Sequence, residues 1–108
     1  MGFFVKTKDK AGQFRFNLKA GNGEIILTSE GYTTAAARDN GIASVQKNSQ
    51  IDARYESRES SNGKPYFVLK AGNGQVIGNS QMYSSAQACE NCVASVKKNG
   101  ATTDIREG

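Results

Sequence analysis

The most regular stretch of the chain is Gln13 to Lys19, where Phe14, Phe16 and Leu18 alternate with Arg15, Asn17 and Lys19. Period-two alternation marks an antiparallel strand that is buried on one face and open on the other. Phe3 to Lys8 alternates in the same way and predicts a first strand, and Glu24 to Thr28, through Ile25, Ile26 and Leu27, predicts a third. Lys10-Ala11-Gly12 and Ala20-Gly21-Asn22-Gly23 supply the turns. In the second of these, Asn-Gly points to a tight type I′ connection, because both residues accept positive φ. Downstream the period changes. Ala35, Ile42 and Val45 fall near helical spacing, so a helix is expected from Thr34 to Lys47, with Thr33 as N-cap and Tyr32 packing its start onto the sheet.

The pattern then recurs. Leu18-Lys19-Ala20-Gly21-Asn22-Gly23 returns as Leu69-Lys70-Ala71-Gly72-Asn73-Gly74, a displacement of 51 positions (69 − 18). Without a gap, Tyr32 meets Tyr83, Asn40 meets Asn91, Ala43-Ser44-Val45 meets Ala94-Ser95-Val96, and Asn48 meets Asn99. Identity at this density means a duplicated supersecondary unit. Strands are expected again at Arg54 to Arg58, Lys64 to Lys70 and Gln75 to Asn79, with Ser60 to Gly63 as a turn. Phe67 and Leu69 point inward; Tyr66, Val68 and Lys70 point outward. Pro65, in place of Phe14, suits a strand start or an edge. The second helix carries Ala86, Cys89, Val93 and Val96 on one stripe. Ser84 and Gln87 read as a capping box, and Lys97-Lys98-Asn99-Gly100 as a left-handed stop.

The order β-β-β-α, twice, predicts an α+β fold: one antiparallel sheet with both helices on one face. Gln50 to Ala53 and Ala101 to Arg106 are each long enough to add a further strand. At 108 residues the chain is expected to be a single domain of two repeats, about 1–53 and 54–108, each too small to bury a core of its own.

Composition narrows the function classes. The net charge is +4 with a pI near 9.2, spread along the chain, which raises the prospect of an anionic partner. Mean hydropathy is −0.56, no apolar run approaches a membrane span, and nothing at the N-terminus reads as a signal peptide; a cytoplasmic location is the expectation. There is no histidine, which removes the imidazole base and the imidazole metal ligand.

These residues resemble the YegP-like family of small bacterial proteins of uncharacterised function. The resemblance is carried by Phe16 to Ile26, Ser29-Glu30-Gly31-Tyr32, Asn40 to Val45 and the echo at Asn91 to Val96, and it covers nearly the whole chain. It implies two β(3)-α-β units forming a single sheet with their last strands exchanged between units. It brings no catalytic residues. The second half departs from the pattern at Cys92, where the first half has Gly41, and at Gly78-Asn79, where it has Leu27-Thr28.

Few constellations carry chemistry. The glycine-rich turns precede strands and lack the Gly-Lys-Ser/Thr of a phosphate loop. Cys89-Glu90-Asn91-Cys92 sits more than a turn inside its helix, away from the dipole that would activate a thiol, and two thiols do not make a zinc site. These cysteines are expected to be inert and buried. Asp39 and Glu90 hold equivalent, exposed helical positions. No catalytic residue, cofactor or metal is expected, and the chain reads as a non-enzyme. The candidate site is the open sheet face, where Arg15, Asn17, Lys19, Tyr66 and Lys70 combine cations with an aromatic ring. The candidate partners are single-stranded nucleic acid, held by charge and stacking, and protein; the chain itself is expected to be a monomer or a weak homodimer.

Overall fold

The computed structural model describes residues 2–107. The first repeat contains β1 (Phe3–Lys8), β2 (Phe14–Lys19), β3 (Ile25–Ser29) and α1 (Ala35–Asn48). The second contains β4 (Tyr55–Glu59), β5 (Pro65–Lys70), β6 (Val76–Asn79), α2 (Ala86–Asn99) and β7 (Ile105–Glu107). All strands join one seven-stranded sheet in the order β4-β5-β6-β3-β2-β1-β7. The repeats meet through β3 and β6, with Thr28 opposite Asn79 and Ser29 opposite Gly78. The sheet is antiparallel except at one edge, where β7 crosses from the second repeat and runs parallel to β1. That crossing is the strand exchange the resemblance implied. It has no mirror image, because Gln50 to Ala53 does not form a strand: a 3-10 turn at Asp52–Arg54 leads straight into β4.

The alternating residues divide as the period dictates. Phe4, Phe16, Leu18, Leu27, Phe67 and Leu69 are essentially inaccessible and face the helices. Phe4 and Phe16 meet edge to face, with ring centroids 5.8 Å apart, and Tyr55 and Phe67 repeat the contact at 5.5 Å. Each helix lies across the middle strand of its own repeat and also across strands of the other, α1 over β2, β5 and β6, and α2 over β5, β3 and β2. The two halves therefore share one core, and neither is a free-standing unit.

Local devices differ from expectation in four places. The turns are not type I′. Asn22 has negative φ, Gly23 alone is left-handed at +87°, and its N–H donates to the Ala20 carbonyl at 2.8 Å. This is a type I turn closed by a left-handed glycine, a geometry in which the other turn positions need no special residue. The helix caps lie one residue later than expected. Thr34 accepts from Ala37 N and Ser85 from Ala88 N, both at 3.1 Å, so the Ser84–Gln87 capping box does not form. The helices also end without a left-handed residue, since Ser49 and Gly100 keep right-handed backbones. Asn48 and Asn99 serve instead, each donating Nδ2 to a carbonyl four residues back, Ser44 or Ser95, at 2.8 Å. On the helical stripes Ala35 and Ala86 are exposed, and Gly41 and Cys92 take buried positions beside Ile42 and Cys89.

The replacement of Leu27 by Gly78 has a steric cause. The two positions are equivalent (27 + 51 = 78) and meet where the repeats join. A Cβ on Gly78 would lie 3.1 Å from Leu27 Cδ2 and 3.1 Å from the Thr28 carbonyl. The Leu27 side chain occupies the room that a second leucine would need. One large residue and one glycine fill the axis; two leucines would collide.

Candidate functional site

The sheet face opposite the helices collects the residues expected there. Pairing places Asn17 between Thr28 and Val5, Arg15 opposite Thr7, Lys19 opposite Ile25, Tyr66 opposite Arg58, and Lys70 opposite Val76. Arg15, Asn17, Lys19, Tyr66 and Lys70 thus share one surface. They do not form a bare basic field. Arg15 Nε donates to Asp9 Oδ2 at 2.8 Å and its Nη1 to the Ser29 carbonyl at 3.2 Å. Lys70 Nζ lies 2.7 Å from Glu56 Oε1, whose other oxygen takes Arg58 Nε at 2.5 Å. The Lys70 ammonium, then the Arg58 guanidinium, hold the Glu56 carboxyl below its ordinary range, and Arg15 does the same to Asp9. Of the five predicted residues' three cations, Lys19 alone has no carboxylate within salt-bridge distance among the described residues. Val68, on the same face, is 3% exposed, so the centre of this surface is better covered than an open face would be. Beside it, Tyr66, Val68, Val76 and Met82 border a depression of about 290 Å³, with Glu30 and Arg58 also on its lining. Met82 is 54% exposed.

The thiols lie in the interior, as expected. Cys89 and Cys92 are buried and unbridged. Burial pushes both thiols above their ordinary pKa, and Cys92 Sγ donates to the Ile26 carbonyl at 3.4 Å. Among the described residues no group of three His, Cys, Asp or Glu side chains is placed to hold a metal ion. Asp39 pairs at the surface with Lys6 and Arg38. Tyr32 packs as anticipated. Its backbone bridges to Phe14, and its ring stacks on Phe16 at 6.4 Å with planes 8° apart.

On the helix side lies a feature that the repeat spacing hid. The turn of each repeat rests against the helix of the other, leaving two clefts related by the pseudo-twofold axis. The larger, about 650 Å³, lies between α1 (Asn40, Gly41, Ser44) and the second turn (Ala71, Asn73, Gln75). It continues along α1 past Lys47 and Arg54. The smaller, about 230 Å³, is lined only by residues 51 positions from residues lining the larger: Asn22 for Asn73, Asn91 for Asn40, Ser95 for Ser44. The paired linings differ at two positions, Gly41 against Cys92 and Gln75 against Glu24. Gly41 leaves room for Tyr32, whose hydroxyl would be 2.5 Å from a Cβ at that position. Cys92, its counterpart, puts a side chain into the smaller cleft. The signal available in the sequence was the identity of Asn22 with Asn73, Asn40 with Asn91 and Ser44 with Ser95. Only the fold shows that these residues meet across repeats.

A sheet shared by two fused, cross-packed repeats, one face helical and one open, defines a tandem-repeat α+β protein. The chain belongs to the family described as Domain of unknown function (DUF1508), which matches it twice, at residues 9–56 and 60–107. It is 57% identical over 106 residues to the UPF0339 protein ACIAD0721 of Acinetobacter baylyi, covering 98% of this chain and 96% of that protein. It is 54% identical over 106 residues to the UPF0339 protein YegP of Escherichia coli K12, with the same coverage. Two solution NMR structures share the fold. The UPF0339 protein SO3888 of Shewanella oneidensis matches at TM-score 0.92 and 55% identity, over 98% of this chain and 90% of that one. The protein of unknown function yegP from E. coli matches at 0.93 and 53%, over 99% and 92%. Among the described residues no helix is long and apolar enough to cross a membrane.

Proposed function

We propose that the protein is a non-enzymatic interaction module whose open sheet face takes a protein segment carrying an apolar side chain between an acidic and a basic residue. The observation that carries this reading is the exposed Met82 at the edge of the Tyr66–Val68–Val76 depression, because a large apolar side chain beside a concave apolar floor marks a contact surface. Glu30 and the Arg58–Glu56–Lys70 trio, which keeps one positive charge in excess, supply the complementary charges. The pKa directions support a non-enzymatic role: Asp9, Glu56 and Asp104 are all lowered by cationic partners, opposite to what a general acid needs. Buried, unbridged thiols suit the cytoplasm, where we place the protein as a monomer or weak homodimer. Single-stranded nucleic acid has less in its favour on this face. Its phosphates would have to displace Asp9 from Arg15 and Glu56 from Lys70, and Tyr66 is a lone stacking ring.

The test compares wild type with Met82→Glu and with the double variant Lys19→Ala/Lys70→Ala, in capture from nuclease-treated extract and in amide-shift titration with short mixed single-stranded RNA. A partner retained after nuclease, lost in Met82→Glu and kept in the lysine variant supports the reading. Shifts at Arg15, Lys19, Tyr66 and Lys70 that survive physiological salt would move the function to nucleic acid.

A further inference from the structure

Arg54 stands apart from the other arginines. Arg15, Arg38, Arg58 and Arg106 each reach a carboxylate; among the described residues Arg54 does not. It is nevertheless held in place. Its Nε donates to Asn48 Oδ1 at 3.0 Å, and Asn48 is itself 5% exposed and tied to Ser44 through Nδ2. This leaves the guanidinium's terminal nitrogens at the second turn, where Nη2 would lie 3.4 Å from a Cβ on Gly72. There they line the continuation of the larger cleft together with Lys47, which also has no salt bridge among the described residues. Two uncompensated cations at one end of a groove form a receptor for an anion, and a guanidinium with free Nη groups is shaped for a carboxylate.

The rest of the groove has a different chemistry. Asn40, Ser44, Asn73 and Gln75 supply amides and a hydroxyl, each able to donate and to accept. Glu30 lies at the far end. A volume of about 650 Å³ falls in the range of small-ligand sites. We propose that this groove binds a short peptide with a free carboxyl terminus, its carboxylate on Arg54 and Lys47, its amides across Asn40, Ser44 and Asn73, and its amine toward Glu30. The molecule contains its own comparison. In the smaller cleft two of the amides and the hydroxyl are repeated, but Glu24 stands in place of Gln75 and the position of Arg54 falls to Ile105 (54 + 51), so the anion receptor is missing. Only the first cleft is built to bind.

The experiment is amide-shift NMR on the full chain at physiological salt, titrated with triglycine, triglycine amide and acetyl-triglycine. Triglycine at millimolar concentration is expected to move Ser44, Gly72 and Asn73, and the amidated peptide to bind about tenfold more weakly, the size of one lost charge-assisted contact. Arg54→Gln, a polar change at the protein surface, should bring triglycine down to the amide's affinity. Asn73→Ala, in the exposed turn, leaves the core untouched and should weaken triglycine about two- to tenfold, the size of one lost hydrogen bond. A weaker acetylated peptide would support the amine contact with Glu30; equal binding of the acetylated form would overturn that contact. Equal affinity for acid and amide, indifference to Arg54→Gln, no shift at all, or shifts confined to the open sheet face would overturn the proposal.

Discussion

Replacing Leu27 by alanine removes a side chain that is 1% exposed and fills the axis between the repeats. A buried Leu→Ala costs about 2–5 kcal/mol, from lost transfer energy plus the cavity left behind. Replacing Gly78 by alanine does the reverse: the new methyl would sit 3.1 Å from Leu27 Cδ2, Leu27 Cγ and the Thr28 carbonyl. Overpacking of this kind costs about 1–3 kcal/mol. If one space is shared, the two penalties cannot add. Two of the three crowded contacts disappear with Leu27, while the Thr28 carbonyl remains, so the relief is substantial but incomplete. Leu27→Ala/Gly78→Ala should therefore be more stable than the sum of its single variants by about 1–2 kcal/mol, within the range measured for residues in contact. Urea denaturation followed by circular dichroism measures this, given an unchanged slope across the four proteins. In a domain of this size each kcal/mol also moves the melting temperature by about 4–8 °C. Additivity within about 0.5 kcal/mol would show that the positions do not share space, and the argument for the glycine would fail.

Three further outcomes are expected. Ser29 and Ser80 hydroxyls accept the Phe16 and Phe67 amides at 2.9 and 3.0 Å inside the core, so Ser29→Ala or Ser80→Ala should cost about 1–3 kcal/mol in the same denaturation assay, and a cost near zero would refute the bond's role. Burial raises both thiol pKa values, so at pH 8 a disulfide reagent should modify native Cys89 and Cys92 at least about tenfold more slowly than a free cysteine peptide, and at the peptide's rate in urea; fast labelling of the native protein would contradict it. Asp9, Glu56 and Asp104 have folded pKa values below their unfolded ones, so their stabilising effect is present above about pH 4 and declines as pH falls through the lowered values. Carboxyl NMR titration should show Asp9 moving up in Arg15→Ala yet staying below the ordinary aspartate value, because the Gln13 and Ala11 amides still donate to it, and an unperturbed Asp9 in the wild-type chain would rule the pair out.

Much of this was legible in the residues. Alternation at Phe14 to Lys19 and its repeat gave strands and their buried faces, because burial on one side leaves a period-two record. The helical site of Cys89 and Cys92 foretold buried thiols. What was not legible depends on register or on distance. That Asp9 neutralises Arg15, or Glu56 neutralises Lys70, follows only from which residues the ladders set side by side. Asn-Gly permits two kinds of turn, and the chain takes the one in which Asn22 stays at negative φ and its Oδ1 receives the Glu24 amide at 3.0 Å. The clefts were out of reach because Asn40 meets Asn73, and not its sequence neighbour Asn22. No local pattern encodes that crossing.

The unequal pair at the axis also settles how the halves can be exchanged. Two copies of the first half, joined as the repeats are joined here, would bring leucine against leucine, and two copies of the second would face glycine with glycine across an empty space. Each half is complementary to the other and to nothing identical to itself. Duplication alone would have produced interchangeable parts; a single knob and its hole make them a left and a right, so a gene fusion has become a molecule whose two ends can no longer be swapped.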